Sequence, residues 1–206
     1  MKKSKVLLLM LCTAALSMAA AFGTLAYLMD TEAVTNTFTV GQVQITLDEA
    51  DVDDTDKDGY TTERDTANVY HLLPGQTYTK DPTIHVDAKS EDCYLFVKVE
   101  NGIAAIEDEE KSIAGQMKDL GWAKVEGEDN LYVFAKGGSK YVISKGGNVE
   151  VFKTFAIDGD SVDNDLIETY AEKEIKVTAY AVQAAGFEDQ TPEAIWDATF
   201  GAPAAG

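Results

Sequence analysis

Cysteine is nearly absent from this chain. Of the two cysteines in 206 residues, Cys12 lies inside an apolar leader. A chain cut after that leader keeps only Cys93 and cannot form an internal disulfide. Histidine is as scarce, with His71 and His85 the whole supply. No His-Glu-x-x-His occurs, and no two histidines stand at helical spacing, so a recognisable zinc-hydrolase pattern is missing. Serine nucleophile elbows and phosphate loops are absent too, and the Gly-Gly pairs read as turns. Positive charge is in deficit: 17 Lys and Arg face 36 Asp and Glu, for a net charge of -19. Such a surface disfavours nucleic acid and anionic membranes. It would welcome divalent cations, which screen self-repulsion. No apolar span follows the leader, and residues 201–206 are small and uncharged, with no sorting motif. A stable membrane span is therefore not expected.

The leader itself is explicit. Lys2, Lys3 and Lys5 form a positive start, and Val6 to Phe22 is a run of apolar and small residues. This is the layout of a secretory signal rather than an anchor. Thr24 and Ala26 place small residues three before and one before the bond to Tyr27. The expected cut lies between Ala26 and Tyr27, with a rival after Ala20 or Ala21. Cys12 is not a lipoprotein cysteine, because Leu11 before it is too large. The division expected is a signal peptide over 1–26 and one domain over 27–206, secreted or held at the cell surface. Loss of the three lysines takes the net charge to about -22.

Strand signals dominate what remains. Phe38-Thr39-Val40, Val43 to Leu47, Thr83 to Asp87 and Ile175 to Gln183 alternate with a period of two. Cys93 to Glu100 is β-branched and aromatic, like a central strand, and so makes Cys93 a buried strand residue, with a reactive or linking thiol as the other reading. Leu131 to Phe134 and Val149 to Phe155 add strands. Leu73-Pro74-Gly75-Gln76 is a turn, and glycine pairs at 137–138 and 146–147 bracket a strand over Lys140 to Ser144. Helical signals are short: Ser112 to Gly121, a turn within Ile157 to Leu166, and Thr191 to Ala198, capped by Thr191 with Pro192 in the first turn. Trp196 and Phe200 should then pack one end of the molecule. The fold expected is all-β: an antiparallel β-sandwich, jelly-roll-like, with short helices.

An acidic loop over 51–66 carries the sharpest local motif. Asp54, Asp56 and Asp58 stand at loop positions one, three and five, Gly59 at six, Tyr60 at seven and Asp65 at twelve. That is the spacing of an EF-hand calcium loop, in which alternating oxygens converge on a hard cation. Asp65 is shorter than the usual glutamate, Thr61 stands where an apolar residue is usual, and no convincing helix flanks the loop. Calcium is the cofactor this spacing suggests. A solvated acidic loop between two strands is the alternative.

The run Gly23 to Glu32, then Asn36-Thr37-Phe38-Thr39-Val40-Gly41, then Val43 to Leu47, resembles exported Gram-positive proteins with an alternate, SipW-type signal peptide, the TasA and camelysin family. A softer likeness covers Leu73 to Thr83 and Tyr94 to Val99. The resemblance implies a dedicated signal peptidase cutting before an aromatic residue, here Tyr27. It implies a biofilm-matrix or cell-surface protein in which an N-terminal strand of one subunit completes the sheet of the next. Partners would be further copies of the chain and other matrix proteins. Leu28, Val34, Phe38 and Val40 share one face of an extended segment 27–40 and are the assembly residues expected. The phase changes near Gly41. The other readings of that segment are the first strand of its own domain or a disordered arm. The resemblance also keeps open a camelysin-type extracellular metalloprotease. A monomeric secreted binding module is the third reading.

Overall fold

The computed structural model describes the backbone of Met29–Ala33, and the whole of residues 43–53 and 63–201. Its frame is a long antiparallel pair. Strand β6 (Cys93–Asn101) and strand β12 (Ile175–Gln183) run side by side over their full length, from Ile175 opposite Asn101 to Gln183 opposite Cys93. Around them the first sheet takes the order β1-β12-β6-β8-β7. Here β1 is Met29–Ala33, β7 is Trp122–Lys124 and β8 is Leu131–Lys136, with β9 (Ser139–Lys140) folded back on β8. The second sheet takes the order β10-β5-β2-β3, from Asn148–Glu150, Thr83–Val86, Ile45–Ala50 and Arg64–Asp65. A small ribbon pairs β11 (Thr154–Ala156) with β4 (Thr77–Thr79). All pairings are antiparallel, and the chain passes repeatedly between the sheets. This is the all-β sandwich that the period-two patterns predict.

The core explains why β6 reads as an unbroken apolar run instead of an alternation. Cys93, Leu95, Val97 and Val99 point between the two sheets, against Ile45, Leu47, Ile84, Val86, Val149, Ala179 and Ala181. Tyr94 and Phe96 point the other way, into a second cluster with Leu131, Val133, Val182 and Ile195. A strand buried on both faces has no polar side to keep, so its sequence loses the alternation. Leu95, Phe96 and Val97 are all 0% exposed. Each such side chain contributes about 1.5–3 kcal/mol through burial.

The cover on that second face is helix α3 (Pro192–Thr199), reached after α1 (Ile113–Asp119) and α2 (Asn164–Glu168). The Thr191 side chain accepts from the Ala194 N–H, and Pro192 occupies the first turn, the start signals read from sequence. Trp196 and Phe200 do not close one end of the sandwich as expected. They lie over the outer face of the first sheet, with Trp196 4.9 Å from the Tyr180 ring and 5.8 Å from Phe96. The molecule therefore has three layers in this region. Other expectations are corrected in detail. The strand expected over Val149 to Phe155 breaks at 151–153, where Val151 and Phe152 turn fully into the core and β10 and β11 enter different sheets. The strand expected over Lys140 to Ser144 stops at Lys140, and Ile143 makes only an isolated bridge to Cys93. Gly75 adopts φ 71° in the turn before β4, and a Cβ on Gly159 would lie 2.9 Å from the Gly75 Cα. Two glycines are needed there for two turns to touch.

Candidate functional site

Two features stand out at the surface, and both begin at strand ends. The first is the edge of the larger sheet. Strand β1 pairs with β12 from Met29 opposite Val182 to Ala33 opposite Thr178. On its other flank β12 is committed to β6, so β1 is the strand that covers the open edge. β12 suits this position. Ala179 and Ala181 turn their small side chains to the inter-sheet core, while Tyr180 and Val182 turn to the α3 layer. Of the segment expected to act in cleavage and assembly, Ala26, Tyr27, Leu28, Val34, Phe38 and Val40 lie outside the described residues, as does Gly41.

The second is the stem of the acidic loop. β2 and β3 form a hairpin in which Glu49 faces Asp65 and Ala50 faces Arg64. The Asp51 N–H donates to the Glu63 carbonyl at 3.0 Å, which extends the stem by one step. Strands, not helices, flank the loop. Arg64 locks the returning arm. Its Nε donates to Asp48, one Nη donates to Asp81 at 3.0 Å, and the other donates to the Asp48 and Asp81 carbonyls at 3.1 and 3.0 Å. Partial burial works against the guanidinium charge, but the bonds to Asp48 and Asp81 raise its pKa above the ordinary value. Of the calcium ligands expected, Asp65 lies at the end of β3, where its Oδ1 accepts from the Thr66 N–H at 2.6 Å. Asp54, Asp56, Asp58 and Tyr60 lie outside the described residues. Among the described residues no three His, Cys, Asp or Glu side chains converge to hold a metal.

Beside this stem is a polar triad that no sequence pattern flagged. Glu49 is 4% exposed. One of its oxygens accepts from Lys80 Nζ at 2.5 Å and the other from Asn68 Nδ2 at 2.9 Å. Asn68 also donates to the Ala50 carbonyl at 3.0 Å, and its Oδ1 accepts from the Val52 N–H at 2.8 Å. The only signal in sequence is Glu49 at an apolar-phase position of β2, in line with Ile45 and Leu47. A cleft of about 730 Å³ opens next to the triad, between residues 66–72 and the start of β12, floored by Leu47, Tyr70, Phe155, Ile167 and Val177. Tyr70 stands edge-on to Phe155 at 5.0 Å, and burial pushes its hydroxyl pKa up.

The two histidines are far from equivalent. His85 sits on the outward face of β5, as its alternation with Ile84 and Val86 predicts, with Nε2 2.9 Å from Asp48 and Nδ1 2.8 Å from Asn148 Oδ1. His71 is exposed, and its carbonyl accepts from the Tyr78 hydroxyl at 2.8 Å.

Among the described residues no helix is long and apolar enough to cross a membrane. Comparison with protein-family models, curated proteins and solved structures finds no match for this chain.

Proposed function

We propose that this chain is a secreted structural protein of the cell surface or biofilm matrix, akin to the TasA and camelysin family, that assembles into filaments by strand donation. The observation that carries the reading is β1. It is a five-residue strand whose sole strand partner among the described residues is β12, at the open edge of the sheet. The same main-chain pairing can be made by β1 of a neighbouring copy, because strand addition draws its affinity from backbone hydrogen bonds. Exchange of an identical element between copies needs no new interface, and a head-to-tail exchange that does not close grows into a filament. Cleavage before Tyr27 would free this arm, and Leu28, Val34, Phe38 and Val40 would give the donated segment its apolar face. Calcium bound in the 54–65 loop would lower the self-repulsion of an acidic polymer.

Electron microscopy of the mature protein tests this. Filaments are expected, growing better with added salt or calcium. Removal of residues 27–37 is expected to leave a folded monomer with a bare β12 edge that polymerises no further. Filaments of unchanged form from the shortened chain, or a full mature chain that stays monomeric under every condition, would overturn strand donation.

A further inference from the structure

We propose that Lys80 and Asn68 are joined by an amide bond between their side chains, formed with Glu49 as the proton carrier. The three groups are already assembled. Glu49 holds the attacking nitrogen and the leaving nitrogen on its two oxygens, Lys80 Nζ at 2.5 Å and Asn68 Nδ2 at 2.9 Å. The amide orientation follows from its partners: Nδ2 faces two acceptors, Glu49 and the Ala50 carbonyl, and Oδ1 faces a donor, the Val52 N–H. That N–H lies where negative charge would build on Oδ1 as the carbonyl carbon becomes tetrahedral.

The surroundings suit condensation. The Lys80 and Glu49 side chains are 11% and 6% exposed. Lys80 Nζ lies 5.8 Å from the Tyr70 ring, which with Phe155 and Leu47 lines the adjoining cleft. Low exposure of these two charged groups strengthens the field of the carboxylate. An isolated buried ion pair is costly to maintain, because desolvation offsets its attraction. Condensation removes the lysine charge from that site. Shared contact with one carboxylate holds the amine and the amide near each other, and closure of the Nζ–Cγ gap would supply the effective concentration that an unactivated amide requires.

The atoms balance without any co-reactant. Lys80 Nζ passes a proton to Glu49 and attacks Cγ of Asn68. The tetrahedral carbon collapses, the Cγ–Nδ2 bond breaks, and Nδ2 takes up a proton through Glu49 and leaves as ammonia. Nζ keeps one hydrogen as the new amide N–H, and the remaining proton rests on the Glu49 carboxyl, which stays hydrogen-bonded to that amide. The bond would close the chain between the stem of the acidic hairpin and the residues entering β5. It would give this chain, which retains only Cys93 beyond its leader, a covalent brace that needs no oxidant.

Intact-mass spectrometry of the full mature protein decides the matter. The wild type is expected to be lighter than its sequence by one ammonia, with the loss mapped to a branched peptide joining residues 68 and 80. Lys80→Arg and Glu49→Gln should each show the full sequence mass. Asn68→Asp should condense with loss of water instead and reach the same final mass as the wild type. A wild-type protein at full mass with Lys80 open to tryptic cleavage, or an ammonia loss that maps elsewhere, would overturn the bond. The wild-type measurement alone suffices if a variant fails to fold.

Discussion

Cys93 is 0% exposed at the start of β6. Burial, with a smaller contribution from Asp92, pushes its pKa up to about 12. A thiol that is both enclosed and protonated does not react, because the thiolate is the nucleophile. Native protein should therefore resist an alkaline thiol reagent, and labelling should appear only in denaturant, tracking the loss of native circular dichroism. Fast labelling of native protein would restore a linking role for this cysteine. Cys93→Ser should cost about 1–3 kcal/mol in a urea melt, since it places a hydroxyl in the apolar core between the sheets. At this scale the sequence was readable for Cys93, which opens an apolar run, and for His85, whose position follows from strand phase. It was silent on Asn68 and Lys80, and marked Glu49 only by its apolar-phase position. Their meeting depends on the turn after β3 and on the link between β4 and β5, which sets Lys80 beside β2, and neither leaves a local pattern.

At the scale of the element, α3 is the piece whose role the sequence stated only in part. Its cap and its helical spacing are local and legible. Its docking partner is set by Tyr94, Phe96 and Val182, which alternate with core residues and so look like ordinary members of an apolar run. Ile195 is 0% exposed beneath this helix. Ile195→Ala should cost about 2–5 kcal/mol of stability by calorimetry. A cost below about 0.5 kcal/mol, the range of surface substitutions, would show that the helix rests on the sheet without supporting it. Short strands were the least visible elements. β3, β4 and β9 run for two or three residues each. No periodicity can be read from so few positions, and their pairing comes from the turns that precede them. The break at 151–153 was hidden for a different reason. Val151 and Phe152 are both strand-forming and fully buried, so the chain changes sheets without changing composition.

For the whole molecule, the most consequential fact of connectivity is that the first described strand and the last are neighbours. β1 lies on β12, and β12 fills the gap between β1 and β6. Ninety residues of sequence separate the partners Cys93 and Gln183, and the β1 pairing spans more still. Contacts this remote in sequence make folding slow, with refolding expected on the order of milliseconds to seconds. A chain ending before residue 175 should show no cooperative unfolding transition on heating, whereas the mature chain should melt in one step. A cooperative melt from that fragment would mean that β6 finds another partner. If the chain is exported as proposed, this arrangement is a timer. β1 would then have to wait for β12, and the polypeptide would stay threadable through a narrow pore until that strand had crossed.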